Sequence, residues 1–380
     1  MSRTLAAILG GAAGAMALVV IFVILLWFCL FHHRCISRNS DTGSSDPSIQ
    51  VGRASGIELS LREVRCFDFK ELSSATKNFG SQNLIGEGKF GEVYKGLLTD
   101  GMVVAIKRRP GSPSQEFIEE VRYLSPIRHR NIVTLLGYCQ ENHQQMLVYE
   151  YIPNGSVSTH LYGTGRGSRE KLEFKHRLSI ALGAAKGLAH LHSLSPRLIH
   201  KDFKTNNVLV DENFIAKVVD AGIRNFLGRF DVAGPSSQVE ADEAFLAPEV
   251  KEFRRFSERS DAYSFGVFLL ELVSGQEARE LYSSDSERTL AEWVHNYMDF
   301  SSISKIADQR LGNRFTMEGM EEFVQLIIRC IDPSSESRPA MSHVVAELDR
   351  ILEKEMNLTT GLGEGTPTVT LGSQLFRVLK

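Results

Sequence analysis

Residues 85–107 read IGEGKFGEVYKGLLTDGMVVAIK and decide between two folds that use glycine-rich loops. The first three glycines have G-x-G-x-x-G spacing, which is typical of dinucleotide-binding loops that open into a helix. Here they lead instead into a strand-like run, an Asp100-Gly101 turn and a second strand that ends at Lys107. The segment therefore predicts an antiparallel hairpin whose glycine loop covers phosphates, with a simple glycine-rich hairpin as the alternative.

The second strand carries a lysine on its apolar face, because Val103, Ala105 and Lys107 share one side of a strand. In the helix predicted after it, Glu120 lies on an apolar stripe. A buried carboxylate is costly unless it is paired. The sequence therefore predicts a Lys107–Glu120 ion pair that directs the lysine toward nucleotide phosphates; two solvated surface charges are the alternative.

A polar loop lies between two apolar runs at residues 198–210, LIHKDFKTNNVLV. Asp202 can accept a proton from a hydroxyl group, and Lys204 can neutralise a phosphoryl group. Asn207 and Asp220, the latter in VVDAG after a further strand-like run, are oxygen ligands that suit Mg²⁺ bridging phosphates. An Asp in a turn is more often a structural cap.

Taken together, these motifs and the APE sequence at 247–249 resemble the eukaryotic protein kinase signature. Four finer sequences are similar to the plant receptor-like kinase family, which is related to Pelle-type kinases: ELSSATKNF at 71–79, LVYEY at 147–151, SDAYSFG at 260–266 and RPAM at 338–341. The resemblance implies an α+β, bilobal protein kinase fold over residues 67–353, with a β-rich N-lobe and a helical C-lobe.

The resemblance also implies a function: transfer of the ATP γ-phosphate to protein hydroxyls, with Mg²⁺. Lys204, two residues after Asp202, is the serine/threonine-kinase form. The implied catalytic residues are Asp202, Lys204 and Asn207, and the implied metal ligands are Asn207 and Asp220. The implied ATP-binding residues are Ile85, Gly86, Glu87, Gly88, Lys89, Phe90, Gly91, Glu92, Val93, Ala105, Lys107, Glu120, Tyr149 (the gatekeeper), Glu150, Tyr151 and Leu209. Asp261 is expected to brace the catalytic loop, and Arg338 to pair with Glu249.

Three positions depart from the family pattern. Lys201 stands where the family has an arginine that grips an activation-loop phosphate, and lysine offers only a point charge. Ala221 stands where the family has a packed Phe, so it leaves a hole or forces repacking. Asp242 stands where the family has a Thr that hydrogen-bonds the catalytic Asp and Lys. Two functions therefore stay open: an active kinase and an ATP-binding pseudokinase scaffold or co-receptor partner.

Residues 5–31 contain no Asp, Glu, Lys, Arg or His. As a helix this segment is long enough to span a hydrocarbon core of about 30 Å. Arg34 and Arg38 follow it and favour a cytosolic C-terminal side. We expect a single-pass plasma-membrane protein with residues 1–4 outside, a transmembrane helix at 5–31 and a cytosolic kinase domain. A cleaved signal peptide is the alternative.

Composition sets the remaining limits. The net charge of −3 gives no indication of a nucleic-acid partner, and five scattered cysteines without a CxxC pair argue against a disulfide framework or a zinc site. Residues 32–66 are predicted to be a juxtamembrane linker and residues 354–380 a disordered tail. Because so few residues lie outside the membrane, the expected partners are protein substrates, the bilayer and another membrane receptor or receptor-like kinase.

Overall fold

The computed structural model describes residues 64–88, 91–110, 115–162, 172–221, 243–282, 290–297, 306–312 and 315–360. The predicted segment 1–4, the predicted transmembrane helix at 5–31 and nearly all of the predicted linker lie outside these residues. Within the described ranges, no helix combines the length and the apolar character needed to cross a membrane.

The N-terminal part of the fold is a six-stranded sheet with the order β1-β5-β6-β4-β3-β2. Its strands are β1 Arg65–Cys66, β2 Leu84–Gly88, β3 Gly91–Leu97, β4 Val103–Pro110, β5 Leu135–Cys139 and β6 Gln144–Glu150. Two helices accompany the sheet, α1 Phe69–Ala75 and α2 Gln115–Leu124. Because β2, β3 and β4 are consecutive antiparallel neighbours, the hairpin predicted from the glycine-rich segment is confirmed.

The alternation of side chains along β4 separates two environments. Val104 and Ile106 are fully buried on one face, in a small cluster that also holds Phe67 and Leu72 of the α1 region. Ala105, Lys107 and Arg109 occupy the alternate positions and therefore share the opposite face. The strand thus presents two cations on the side that carries the candidate site.

The C-terminal part is mainly helical, which together with the sheet confirms the predicted α+β, bilobal fold. Its described helices are α3 Val157–Tyr162, α4 Phe174–Ser193, α5 Pro248–Phe253, α6 Glu258–Ser274, α7 Ala278–Tyr282, α8 Leu290–Tyr297, α9 Met317–Cys330 and α10 Met341–Thr360. A short antiparallel pair, β7 Val208–Val210 and β8 Ala216–Val218, lies between α4 and α5 in sequence. Helix α10 packs on α4, and α9 packs on α6.

Helix α6 is the buried centre of this part, and its ends are well defined by sequence. The Ser257 side chain accepts hydrogen bonds from the backbone N–H groups of Arg259 and Ser260, and the Ser260 side chain completes a capping box. Gly275 ends the helix in the left-handed conformation at φ 66°. The fixed start of α6 also fixes Asp261 in its first turn.

The predicted start and the predicted end of the kinase domain both need correction. The linker was predicted to run to residue 66, but Val64 is buried and β1 pairs in parallel with β5, so the fold begins before residue 67. The tail was predicted from residue 354, but α10 continues to Thr360. Glu355 accounts for this, because its buried carboxylate accepts a 2.9 Å hydrogen bond from the backbone N–H of Thr316. Residues 361–380 lie outside the described part.

One predicted long-range pair is confirmed. Arg338 is fully buried and donates from Nη1 and Nη2 to the two carboxylate oxygens of Glu249, at 2.7 and 2.8 Å. Such bidentate arginine–carboxylate pairs are among the stronger side-chain interactions in proteins. The pair ties the start of α5 to the loop that precedes α10.

Candidate functional site

Asp261 of helix α6 supports the loop at 198–204 by accepting hydrogen bonds from its backbone. Asp261 Oδ2 accepts the backbone N–H of His200 at 2.7 Å, and Oδ1 accepts that of Lys201 at 3.0 Å. Lys201 needs such support, because its φ of 67° lies in the left-handed region that residues other than glycine seldom adopt. The predicted bracing role of Asp261 is therefore confirmed.

The structure brings the three predicted catalytic side chains together. Asn207 Nδ2 donates to the backbone oxygen of Asp202 at 2.7 Å and to its carboxylate Oδ2 at 3.3 Å. Lys204 Nζ lies 3.5 Å from the same Oδ2 atom. With its amide N–H₂ directed at Asp202, Asn207 has its Oδ1 to offer as a ligand to a cation.

A second buried carboxylate of α6 supports the other end of the loop. The Thr205 hydroxyl donates to Glu271, which also accepts the backbone N–H of Ala278 at 2.9 Å and the Tyr162 hydroxyl at 3.2 Å. Burial raises the pKa of Glu271 to about 7, although the hydrogen bond from Thr205 opposes this shift. Sequence reasoning missed this residue. The signal was a lone carboxylate within the apolar run FGVFLLELV at 265–273.

Asp220 lies two residues after strand β8. The residue before it, Val219, connects this segment to the catalytic loop by hydrogen bonds. The backbone N–H of Val219 donates to the Asn207 carbonyl at 3.0 Å, and the Val219 carbonyl lies 3.0 Å from His200 Nε2. Burial lowers the pKa of His200, so the neutral ring donates from Nε2 to this carbonyl. Asp220 itself has a φ of 64°, and its Oδ2 atom lies 2.7 Å from Lys107 Nζ.

The predicted Lys107–Glu120 ion pair is wrong. Glu120 is fully buried and accepts two hydrogen bonds from Arg109, at 2.5 Å from Nη1 and 2.6 Å from Nη2. Lys107 and Arg109 share a face of β4, so periodicity could not decide between them. The planar guanidinium matches both carboxylate oxygens, which a lysine cannot do. Arg109 is the second site residue that sequence reasoning missed.

The predicted ATP-binding residues of the N-terminal sheet lie in adjoining strands. Of the glycine loop, Ile85, Gly86, Glu87 and Gly88 belong to β2, and Gly91, Glu92 and Val93 belong to β3. Gly91 is required for conformation, because its φ is 105° and a Cβ would collide with the Arg108 carbonyl. Val93 lies opposite Lys107 on β4. Lys89 and Phe90 lie outside the described residues.

The remaining predicted ATP-binding residues lie on β4, on β6 or directly after it, and on β7. Ala105 lies opposite Tyr149 in the β4–β6 register, and Leu209 of β7 bridges to Ser156. Glu150 Oε1 accepts the backbone N–H of Thr134 at 2.8 Å and lies 3.0 Å from Lys217 Nζ. Lys95 Nζ lies 4.5 Å from the ring centroid of Tyr151.

Ala221 lines a small cavity, as the sequence predicted. The cavity has a volume of about 20 Å³ and is bounded in part by Leu124, Tyr149 and Asp220. This space holds about one water molecule.

Lys201 and Asp242 are the other two departures from the family pattern, and the structure describes only Lys201. Lys201 Nζ lies 5.4 Å from the ring centroid of Phe256, and burial lowers the pKa of its ammonium group, partly offset by Asp261. Asp242, with its predicted effect on Asp202 and Lys204, lies outside the described residues. So does Gly222 of the VVDAG sequence.

Comparisons with known proteins show the family and the fold. The model of the protein tyrosine and serine/threonine kinase family matches residues 79–348. The nodulation receptor kinase of Pisum sativum is 37% identical over 92% of this chain, which spans 38% of that protein. The "Probable serine/threonine-protein kinase PBL3" of Arabidopsis thaliana is 37% identical over 81% of this chain and 75% of its own length.

A solved structure is also similar. It is the pseudokinase domain of BIR2, described as an immune regulator of the RLK/Pelle family. It is 29% identical to this chain, with a TM-score of 0.62, and the match covers 78% of this chain and 91% of that domain. The fold is thus shared with serine/threonine kinase relatives and with a pseudokinase.

We predict that the purified full-length chain binds Mg-ATP through Lys107. Saturating Mg-ATP should raise the melting temperature by roughly 5 °C, because a ligand that binds only the folded state stabilises it. Lys107→Met should remove most of that shift, measured by differential scanning fluorimetry. Lys186→Met, the same change at an exposed lysine 3.9 Å from Asp349, is the matched control and should keep it. An equal shift in the Lys107 variant would contradict the assignment.

Proposed function

Because this chain belongs to the protein tyrosine and serine/threonine kinase family and carries a Pelle-type kinase domain, we propose that it is an ATP-dependent serine/threonine protein kinase. The observation that carries the proposal is the contact of Asp202 with both Asn207 and Lys204. A carboxylate to accept a proton, a cation for a phosphoryl group and an amide ligand for a metal ion meet in one loop.

The residues present fit Mg²⁺ and a nucleotide. Asn207 Oδ1 and the Asp220 carboxylate are oxygen donors that Mg²⁺ accepts, and Mg²⁺ usually takes few protein ligands beside water and phosphate oxygens. No cluster of three or more His, Cys, Asp or Glu side chains suited to a metal ion occurs in the described ranges. When bound, Mg-ATP supplies the phosphoryl group and the positive charge that offsets its oxygens.

The chain's own contribution is orientation and charge. The hydrogen bond from Asn207 fixes the Asp202 carboxylate, which accepts the proton of a serine or threonine hydroxyl. Lys204, close to that carboxylate, lies where it can neutralise the transferred group. Lys107 is directed by β4 toward Asp220 and the phosphate side of the site. Catalysis by such a site is mainly positioning and electrostatic stabilisation.

A specific observation favours a second function, an ATP-binding pseudokinase scaffold. Ala221 leaves a cavity beside Asp220, so this segment lacks the packing that a Phe would provide. The sequence adds Asp242 in place of the family's Thr. The similar BIR2 domain is itself described as a pseudokinase. In this function nucleotide binding would survive while phosphotransfer would be weak or lost.

We predict that the full-length chain transfers the γ-phosphate to serine or threonine at a low rate. Asp202→Asn should abolish transfer of radiolabelled phosphate, because an amide cannot accept the proton. Asp242→Thr should raise the rate about tenfold if it returns roughly 1.4 kcal/mol of transition-state stabilisation. Asp349→Asn, at an exposed carboxylate, is the matched control and should change nothing.

A different set of results would identify a scaffold and not an active kinase. A wild-type chain and an Asp242→Thr variant that both transfer no phosphate, while Mg-ATP still raises the melting temperature, would establish the scaffold. A rate that is unchanged in Asp202→Asn would place the activity in a contaminating kinase.

The site acts at the plasma membrane in our proposal, with the catalytic part in the cytosol. The support is in the sequence: 5–31 form an uninterrupted apolar segment, and Arg34 and Arg38 follow it. Signals would reach the kinase through another membrane receptor or receptor-like kinase, and the similarity to a receptor kinase supports a partner of this class. Its protein substrates would then lie near the cytosolic face.

We predict that the chain stays in the membrane fraction after alkaline carbonate extraction. Replacing both Leu18 and Ile21 by Arg should release it, because each central arginine costs a helix about 2.5–3.5 kcal/mol of insertion energy. Ser37→Arg together with Ser40→Arg, outside the apolar segment, is the matched control and should stay in the membrane. Release of the wild type, or a mature chain that mass spectrometry finds to begin after residue 31, would contradict the anchor.

A further inference from the structure

We infer that Arg109, not Lys107, is the positioning residue that anchors helix α2 and its carboxylate Glu120 to the N-terminal sheet. The kinase resemblance assigns both helix anchoring and phosphate contact to one lysine. In this chain the two tasks fall to two cations, which lie two residues apart on β4. The relevance of the anchor to phosphotransfer rests on the proposed function; the anchor itself rests on geometry.

The contact between Arg109 and Glu120 is well matched in shape and charge. Arg109 is 8% exposed and Glu120 is fully buried. Nη1 and Nη2 each donate to a different carboxylate oxygen, at 2.5 and 2.6 Å, which is the parallel two-bond geometry of strong arginine–carboxylate pairs. Burial alone would lower the pKa of Arg109, but the Glu120 carboxylate outweighs it and the pKa is raised. The guanidinium is therefore firmly charged.

Lys107 is directed to a different carboxylate. Its Nζ lies 2.7 Å from Asp220 Oδ2, in the segment that follows β8. The ammonium group thus bridges from the sheet to the catalytic side of the site, while Arg109 bridges from the sheet to α2. Asp220 is therefore paired with Lys107, and Glu120 is paired with Arg109.

The buried tyrosine beside this pair adds no charge to it. Tyr149, on the neighbouring strand β6, is buried, and burial together with Glu120 and Asp220 raises its pKa well above the ordinary value, so it stays neutral. Arg109 Nε is buried without a hydrogen-bond partner among the described residues. The arginine thus bears an unsatisfied donor while its two terminal nitrogens hold Glu120, as expected if this contact fixes its orientation.

Two consequences follow for the working of the site. Removal of Arg109 leaves a fully buried carboxylate without its partner, which is strongly destabilising. Removal of Lys107 takes a cation from Asp220 and from the nucleotide site but leaves the two hydrogen bonds between Arg109 and Glu120 in place. Helix position and phosphate contact are therefore separable in this chain, which would not hold if one lysine served both.

Double-mutant cycles on the full-length chain without nucleotide test this inference. Arg109→Met should lower the melting temperature by roughly 6–10 °C, and adding Glu120→Leu should restore most of the loss, because an apolar pair can replace a buried ion pair. Lys107→Met leaves the Asp220 carboxylate without this cation and should also lower the melting temperature, but it should show no coupling to Glu120→Leu. Arg108→Met, on the opposite face of β4 and partly exposed, is the matched control.

Three further readouts separate positioning from general stability. Amide hydrogen exchange of residues 115–124 should accelerate in Arg109→Met but not in Lys107→Met. The Mg-ATP shift should survive in Arg109→Met and be lost in Lys107→Met. Arg109→Lys should recover only part of the stability, since one ammonium cannot bind both oxygens. If Arg109→Met does not fold, the Arg109→Lys variant and the Arg109→Met/Glu120→Leu pair still report the coupling.

The opposite pattern would overturn the inference. Coupling of Glu120→Leu to Lys107→Met, with Arg109→Met tolerated, would show that Lys107 is the anchor after all. None of these measurements requires phosphotransfer. A chain that proves to be an inactive scaffold would therefore give the same cycles, and failure of the anchor can be distinguished from failure of the proposed function.

Discussion

Neutralisation of buried charge, where the sheet, helix α2 and the end of β8 meet, is the constraint on which this site depends. Glu120 is fully buried, and Asp220 is held by a lysine that is itself 5% exposed. One lysine cannot neutralise two separated carboxylates, and an unpaired buried charge is costly. Arg109 resolves the conflict by giving β4 a second cation on the same face.

Buried carboxylates also position the catalytic loop, and they do so by accepting hydrogen bonds. Helix α6 contributes two buried carboxylates, Asp261 and Glu271, which accept backbone N–H and hydroxyl groups of the loop. These contacts position Asp202, Lys204 and Asn207 from within the helical part. The contacts of the loop with α6 and the contact of Arg109 with Glu120 thus involve different residues, and the Lys107–Asp220 pair connects the sheet to the segment after β8.

The sequence predicts the local features of this protein well, because motif spacing reports on elements that are close along the chain. Motif spacing predicted the glycine-loop hairpin, whereas the roles of Asp261 and Arg338, whose partners lie 61 and 89 residues away, were implied by the family resemblance. It could not choose between Lys107 and Arg109 as the partner of Glu120, because side-chain reach and bidentate geometry decide this in three dimensions.

Two other features of the structure could not be fully predicted, because they also depend on contacts in three dimensions. The hole at Ala221 was predictable, but its small volume depends on how Tyr149 and Leu124 pack around it. The end of α10 depends on a contact between Glu355 and Thr316, residues far apart in sequence. The most direct test of the account is a crystal structure with Mg²⁺ and a non-hydrolysable ATP analogue. It should show Lys107 on the phosphates and Arg109 still on Glu120. Lys107 bonded to Glu120, with Arg109 turned away, would contradict it.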